Sequence, residues 1–365
     1  MFQLLIWTYG IFDIIDEKDS VAKIVGLTKR DGVTEKLTIK DVAESLGVSE
    51  STVSRAISGK GRIGEATRRR VFDYIEEHNY MPGIGSNGLI SGRTRNICWV
   101  MPGDCNVVEI PFFQQCMTGL LEVTETFGYN LLVTSSSQND ISHLENLVSN
   151  HKSDGIVLAR TNVDDLAIDF LKGKKVPFLA IGSYDDENVL RVDHDHKAAC
   201  KEFTSMLLLK GYERIGLLGG NKRLIVNLSR YAGYEEAMLQ AGRSAEPGLV
   251  YMDIENYVAA EIAVEELLRK KVDCLLCMDD AICLYVLNKL NKENIGVPHT
   301  VKVGSFYDSS LLENRIPAIS SIDFDACELG RNAGKILIDY MEGKEVNTSN
   351  LFGYEIRLKE STKDY

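Results

Sequence analysis

Glu50, Ser51 and Arg55 bring hydrogen-bonding side chains together within two turns of one predicted helix. A glutamate accepts a hydrogen bond from cytosine N4, and an arginine donates two hydrogen bonds to guanine O6 and N7. Hydroxyl and cationic side chains nearby suit contacts with phosphate oxygens. We therefore predict that this stretch reads base edges in double-stranded DNA, with phosphate contacts from Thr52, Ser54, Lys60 and Arg62.

The elements that would position these side chains are two short amphipathic helices on a tight turn. Thr38 can cap the first helix, Gly47 suits the left-handed residue that ends it, and Ser49 can cap the second. A helix-turn-helix places its second helix in the major groove. We include both caps, Thr38 and Ser49, in the predicted DNA interface. The inward-facing positions are Ile39, Val42, Ala43 and Leu46 in the first helix and Val53, Ala56 and Ile57 in the second.

A third helix, from Glu65 to Asn79, is predicted to complete the core of this head. Pro82 follows its end, where a proline cannot continue the helix. Three consecutive arginines on this helix, at positions 68–70, either face solvent or contact DNA, and the sequence leaves both readings open. The positions expected to close the core are Val71, Phe72, Tyr74 and Ile75.

The segment T-I-K-D-V-A, followed by G-V-S-x-S-T-V-S-R, resembles the DNA-binding head of the lac repressor/galactose repressor (LacI) family of bacterial regulators. The resemblance implies a head at 37–81 and a homodimer on a palindromic operator. It also implies a hinge at 82–94 that folds on DNA and inserts a leucine into the minor groove, and Leu89 occupies that position. Gly83, Gly85 and Gly88 depart from the family pattern; in a helix they would cost ~2–3 kcal/mol, and a flexible linker is the alternative.

Residues 1–36 precede the part of the chain that resembles the family. The stretch from Phe2 to Ile15 is apolar, but it lacks a basic n-region and a small-residue cleavage site, so it is a poor signal peptide. We interpret residues 1–36 as a leader from an over-extended gene model, with the true start at Leu27 or Val33 if a non-AUG codon is read. Mass spectrometry of the native N-terminus would decide this.

The charge of the chain is distributed unevenly. The 365 residues carry a net charge of −12, yet residues 37–95 carry +2 and residues 96–365 carry −13. A mildly basic head on an acidic body favours DNA contact through the head alone. The longest apolar runs fall short of the ~18 residues that a membrane span needs, so we predict no membrane association.

Eight cysteines are scattered without the pattern of a secreted disulfide framework. Cys274 and Cys277 form a CxxC within an apolar run that reads as a buried strand, where residues three apart face opposite sides. We therefore predict buried, reduced thiols rather than a metal site or a disulfide, which fits a cytoplasmic protein.

From Arg95 onward, strand-like apolar runs alternate with amphipathic helical runs in two successive series. Such alternation predicts parallel sheets covered by helices. The predicted fold class is α/β: an all-α helix-turn-helix head followed, at 95–365, by a two-lobed, doubly wound core of the periplasmic-binding-protein type. We place the lobes at 95–192 and 193–320, with crossings near 190–195 and 320–345, and expect a ligand between them at the carboxyl ends of the strands.

Arg230 is the strongest candidate for a ligand contact. It lies in R-Y-A-G-Y, which resembles the family pattern R-x-x-G-[YFW], whose arginine faces the cleft and binds sugar hydroxyls or anionic groups. A surface salt bridge is the alternative. Phe112 and Phe113 follow Pro111 and resemble the N-P-F-F signature at the family's cleft mouth, and we expect one of the two rings to be part of the core.

Two further strand ends complete the predicted effector site. Met278 and Asp279 match a strand-end N-D step of the family. Phe306, Tyr307 and Asp308 resemble the S-F-N-N variant of maltose-operon repressors, which implies stacking on a glucoside and hydrogen bonds to it. For Asp308, a helix cap is the alternative.

The stretch from Asp193 to His196 alternates aspartate and histidine, which invites a metal site. We interpret it instead as the cap and first turn of a helix, and predict no metal, no cofactor and no catalytic constellation. The predicted function is repression of a carbohydrate-utilisation operon, released by a sugar in the cleft. The alternatives are a regulator that uses its ligand as a co-repressor and a solute-binding protein without a regulatory role.

Overall fold

The computed structural model describes residues 39–58, 63–78, 93–104, 111–243, 246–312 and 314–363. The chain divides into two compact units, Met1–Ile90 and Ser91–Tyr365, and each is described here by itself. The leader at 1–36 and the glycine-containing part of the predicted hinge lie outside the described residues. The same holds for four of the predicted DNA contacts, namely Thr38, Lys60, Arg62 and Leu89.

The described residues of the first unit form three helices, α1 (Ile39–Leu46), α2 (Glu50–Ser58) and α3 (Glu65–Glu77). The three helices pack on one small apolar core, which accounts for the spacing of apolar positions in each helix. Its fully buried members are Val42, Ala43, Val53, Ala56 and Val71.

Phe72 does not belong to this core. Its side chain is 43% exposed, so the prediction that it closes the head was wrong. Val71 precedes it on α3 and is fully buried, and adjacent helical positions point about 100° apart, so only one of the two can face inward. The guanidinium of Arg68 lies 5.9 Å from the centroid of the exposed ring.

The second unit contains two six-stranded sheets, each forming one lobe. In the first lobe the strand order is β11-β5-β4-β3-β1-β2, and every pair is parallel. The strands of this lobe are β1 (Asn96–Pro102), β2 (Asn130–Ser136), β3 (Gly155–Leu158), β4 (Phe178–Ile181), β5 (Arg191–His194) and β11 (Ser349–Phe352). Its helices are α4 (Pro111–Thr126), α5 (Ser142–Ser149), α6 (Leu166–Lys172) and α11 (Ala326–Met341).

In the second lobe the strand order is β12-β10-β9-β8-β6-β7, parallel except for the antiparallel pair of β10 and β12. Its strands are β6 (Ile215–Leu218), β7 (Val250–Tyr251), β8 (Cys274–Cys277), β9 (Lys302–Ser305), β10 (Ser320–Asp323) and β12 (Glu355–Arg357). Its helices are α7 (His196–Leu209), α8 (Ile225–Gln240), α9 (Tyr257–Arg269) and α10 (Asp280–Lys292). These two parallel sheets and the helical head confirm the predicted fold class.

The chain passes between the lobes three times. It crosses from β5 to α7, from β10 to α11, and from β11 to β12. Because α11 packs on α4, the segment from Ala326 to Phe352 belongs to the first lobe. Three crossings joined side by side allow the lobes to change their relative orientation without unfolding.

The central strands of both sheets are buried because helices cover both faces, whereas the edge strands β2, β11 and β12 are partly exposed. Cys274 and Cys277 illustrate this on β8: one packs in the apolar cluster on one face of the sheet and the other in the cluster on the opposite face. Burial raises the pKa of both thiols. No helix in the described parts of the chain is both long and apolar enough to cross a membrane.

Candidate effector cleft and nucleic-acid interface

The turn between α1 and α2 has the geometry that the sequence predicts. Gly47 adopts a left-handed conformation with φ of +63°, and Val48 N donates to the Ala43 carbonyl at 3.0 Å. Ser49 Oγ accepts from Thr52 N at 3.2 Å and so caps α2. The turn therefore fixes where α2 starts and which side chains stand at its exposed end.

The predicted base-reading residues lie together on the exposed face of α2. Val53 and Ala56 are buried against the rest of the head, which turns the opposite face outward. Glu50, Ser51 and Arg55 are exposed on that face. Thr52 and Ser54 are partly exposed beside it and are therefore accessible to a phosphate backbone.

A cleft of about 950 Å³ lies between the two lobes of the second unit, at the carboxyl ends of their parallel strands. Parallel α/β sheets bind ligands at this end. The lobes touch at its edge, where Val163 N donates to the Arg223 carbonyl at 2.8 Å. Polar residues lining the cleft include Arg160, Thr161, Asp193, His196, Asn227, Arg230, Asp279 and Asp280.

Arg230 projects from α8 into this cleft and is only 8% exposed. Its Nη1 donates to the Met278 carbonyl at 2.6 Å, whereas its buried Nε has no hydrogen-bond partner. An unsatisfied buried donor costs about 1–3 kcal/mol, which a ligand oxygen would recover. Within the part of the chain that the structure describes, Arg230 is buried and forms none of the ion pairs that the alternative of a surface salt bridge requires.

Gly233, one turn after Arg230 on α8, explains the glycine of the R-x-x-G pattern. A Cβ at this position would lie 2.3 Å from the Lys197 carbonyl oxygen on α7. Glycine thus permits the close contact of α7 and α8 that sets the depth of Arg230 in the cleft.

Two aspartates at the start of α10 supply carboxylates to the same lobe's wall of the cleft, beside Arg230. Asp279 caps the helix by accepting from Ile282 N at 2.7 Å, and burial raises its pKa. Asp280 accepts from the Ser309 hydroxyl and from Ala281 N, and burial together with the neighbouring Asp279 charge raises its pKa to about 6.

Aromatic rings form the apolar part of the cleft wall. Phe112 lies edge-on to Tyr307, with 5.9 Å between ring centroids, and both residues line the cleft. Phe113 also lines it but is 93% buried in the core of the first lobe. Of the two phenylalanines, Phe113 is therefore the core residue, and Phe112 is the better placed to stack on a sugar ring.

Three predicted effector residues lie elsewhere. The side chains of Met278 and Phe306 are fully buried in the core of the second lobe. Both residues lie in a bend after β9, where Tyr307 N donates to Ser305 Oγ at 3.3 Å, and Tyr307 lines the cleft while Phe306 packs in the core. Asp308 is not in the cleft lining, and its carboxylate pairs with Lys359 Nζ at 2.9 Å, so it is neither a ligand contact nor a helix cap.

Asp193 and His196 line the cleft, although the sequence did not assign them to it. Asp193 accepts from Ser183 Oγ at 2.7 Å and from His194 N at 2.8 Å, and His196 Nε2 lies 3.3 Å from its Oδ1. Burial opposes the charge of Asp193, but His196 and these hydrogen bonds outweigh it and lower the pKa. The predicted cap is Asp195, whose side chain accepts from Ala198 N at 2.9 Å.

The sequence signal for the pair of Asp193 and His196 was their D-x-x-H spacing at the junction of a strand and a helix. The turn of the chain at this junction brings the two side chains together. Asp280, Asn227 and Thr161 were also not assigned to the cleft, because each is an ordinary polar residue at an element boundary. Only the juxtaposition of the two lobes brings them together.

Comparison with known proteins agrees with this architecture. Residues 38–83 match the family model described as bacterial regulatory proteins of the lacI family, and residues 204–362 match a periplasmic binding protein-like domain, so the two cover more than half of the chain. The transcriptional regulator RegA of Clostridium saccharobutylicum is 27% identical over 89% of this chain and 99% of its own length. The regulator MalR of Streptococcus pneumoniae is 27% identical over 88% of this chain and 98% of its own.

A solved structure, the complex of the transcriptional regulator CelR with cellobiose, superposes with a TM-score of 0.69 at 26% identity. It covers 89% of this chain and 99% of its own. These relatives are named as regulators rather than enzymes or transport proteins, and they match the head and core together. This agrees with the predicted regulator and not with the alternative of a solute-binding protein.

Proposed function

Because the chain is a transcriptional regulator of the lacI family, we propose that it represses a carbohydrate-utilisation operon by binding a palindromic operator as a homodimer. A small sugar in the interlobe cleft releases it from DNA. The observation that carries this proposal is one chain with a helix-turn-helix surface and a separate, partly closed ligand cleft. The protein acts in the cytoplasm, where its operator is, and needs no cofactor.

The DNA side of the proposal rests on α2. Glu50 and Arg55 stand on its exposed face, one for cytosine N4 and one for guanine O6 and N7. One short recognition helix reads only half a site, so two copies related by a two-fold axis read a palindrome.

The ligand side rests on the chemistry of the cleft. Phe112 and Tyr307 present aromatic surface, on which the C–H face of a sugar ring can pack. Arg230 and Asp279 stand at the same cleft and supply a donor and an acceptor for hydroxyl groups. The lobes meet around this space, so a ligand that contacts both lobes stabilises one relative orientation over another.

The DNA half of the proposal is tested by gel shift with palindromes from upstream of the chain's own gene. We expect a specific complex that Arg55→Ala weakens by about 10- to 100-fold, because one bidentate base contact contributes about 1–3 kcal/mol. Arg243→Ala is the matched control: it removes an exposed arginine of the second unit, which pairs with Glu213, and this variant should bind the operator normally. A complex that forms equally on scrambled DNA would contradict operator recognition.

A further inference from the structure

The cleft holds two buried polar atoms without a hydrogen-bond partner, and they belong to opposite hydrogen-bonding types. One is Nε of Arg230, which can only donate. The other is Nδ1 of His196, on a residue that is only 5% exposed. Both residues line the cleft, so a ligand there lies beside these two side chains.

Whether His196 Nδ1 donates or accepts a hydrogen bond follows from the contact between the other ring nitrogen and Asp193. Asp193 is held as a carboxylate by Ser183 Oγ and His194 N, so it accepts from His196 and the proton of the neutral ring resides on Nε2. Nδ1 of the neutral ring then carries a lone pair and can only accept. This pairing defines a donor at Arg230 and an acceptor at His196 within one site.

The surroundings keep the His196 ring neutral near pH 7. Burial lowers the pKa of His196, and the Arg230 charge adds to this, while Asp193 and Asp195 act in the opposite direction with a smaller combined effect. The remaining faces of the ring pack on the Phe324 and His194 rings, whose centroids lie 4.5 Å and 6.2 Å away.

We propose that His196, oriented by Asp193, acts with Arg230 to select a neutral, hydroxyl-bearing ligand over an acidic one. A sugar hydroxyl can donate to His196 Nδ1 and accept from Arg230 Nε, which satisfies both atoms. A carboxylate or phosphate group placed at this pair accepts only, so it leaves Nδ1 unsatisfied and its charge faces the lone pair and the Asp193 carboxylate. An acidic sugar must therefore turn a hydroxyl toward the pair and keep its acidic group elsewhere in the cleft. This inference rests on the proposed sugar ligand and narrows it to unphosphorylated, unoxidised sugars.

The wild-type test compares ligand affinities on the full-length chain by isothermal titration calorimetry at pH 7.5. The neutral probes are glucose, maltose and cellobiose; the acidic probes are glucuronate and glucose 6-phosphate. We expect a neutral probe to bind at least 10-fold more tightly than either acidic probe. An acidic probe that binds as tightly as the best neutral one would overturn the selection while leaving a sugar-responsive repressor intact; no binding by any probe would remove the sugar ligand itself.

A variant test isolates the residue. His196→Asn cannot span from Asp193 to the ligand, so affinity for the best neutral probe should fall at least 10-fold. Wild-type binding should also weaken as the pH falls through the lowered pKa of His196, and His196→Asn should lose that part of the pH dependence. Asp280, which also lines the cleft and has a pKa of about 6, contributes the same pH dependence to both proteins. His143→Asn, an exposed change on α5, is the control, and operator binding without ligand reports that each variant is folded. Unchanged affinity and an unchanged pH profile in His196→Asn would refute the role of this residue.

Discussion

Asp280 is the residue whose ionisation bears most directly on stability. The residue is 96% buried beside Asp279, and the pKa of its carboxyl group is raised to about 6. A pKa above that of the unfolded chain means that the folded state binds the proton more tightly. The stability that this group contributes is therefore present below about pH 4 and is lost as the pH rises through about 6.

Asp280→Asn should raise the free energy of unfolding of the ligand-free chain at pH 7.5 by about 1–3 kcal/mol, because it removes a buried negative charge and keeps an acceptor for Ser309. The gain should shrink toward zero at pH 4. Urea denaturation at both pH values measures it, with exposed Asp185→Asn as the control. Equal destabilisation at both pH values would instead mean that the carboxylate is needed for packing.

At the scale of residues, the sequence predicts best where a family pattern and a local geometry coincide. Arg230 and Asp279 follow from such patterns, and the structure places both at the cleft. Phe306 did not follow, because it lies in the bend after β9, where the local path of the chain decides which side chain faces the cleft. His196 was missed because its partner and its orientation arise only where β5 passes into α7.

At the scale of elements, the turn before α2 depends on one left-handed residue. Gly47 has φ of +63°, whereas Gly64 has an ordinary φ, and an added Cβ would meet nothing within 4 Å at either position. Gly47→Ala should destabilise the head by about 1 kcal/mol through backbone strain alone. Gly64→Ala, the space-matched control, should have a smaller effect or stabilise, and thermal unfolding followed by circular dichroism compares the two.

The contact of α7 and α8 yields a prediction that links packing to binding. Gly233→Ala would force a Cβ against the Lys197 carbonyl and push α8 away from α7. We expect both a loss of stability of about 1–3 kcal/mol, typical of overpacking, and weaker ligand binding as Arg230 shifts. Gly353→Ala, where an added Cβ meets open space, is the control. Full ligand affinity in a destabilised Gly233→Ala protein would show that this contact does not position Arg230.

Helices with strong periodicity could be predicted closely. The third helix of the head, predicted from Glu65 to Asn79, occupies Glu65–Glu77. Strand β11 (Ser349–Phe352) was not predicted, since it is four residues long and half-exposed at a sheet edge, so it lacks an apolar run. Short edge strands are defined by the neighbour with which they pair, here β5, and that neighbour lies about 160 residues away in the chain.

At the scale of the whole molecule, strand β11, which was not predicted, creates a third passage of the chain between the lobes, from β11 to β12. It adds a third connection beside the two that the alternation of strands and helices indicated. The cleft is bounded by these crossings on one side and by the contact of Val163 with Arg223 at its edge. A ligand bound inside must therefore bias how the lobes are oriented, and that bias is the physical basis of its effect on DNA binding.

The most direct test of the account is the coupling between cleft and operator in one titration. Fluorescence anisotropy would follow operator binding by the wild-type protein and by Arg230→Ala as the concentration of the best-binding neutral sugar is raised. We expect the sugar to weaken operator binding by the wild type about 5- to 150-fold. Arg230→Ala should bind the operator equally well without sugar and lose this response. Operator affinity that does not change with sugar in the wild type, or a response fully retained in Arg230→Ala, would contradict the account.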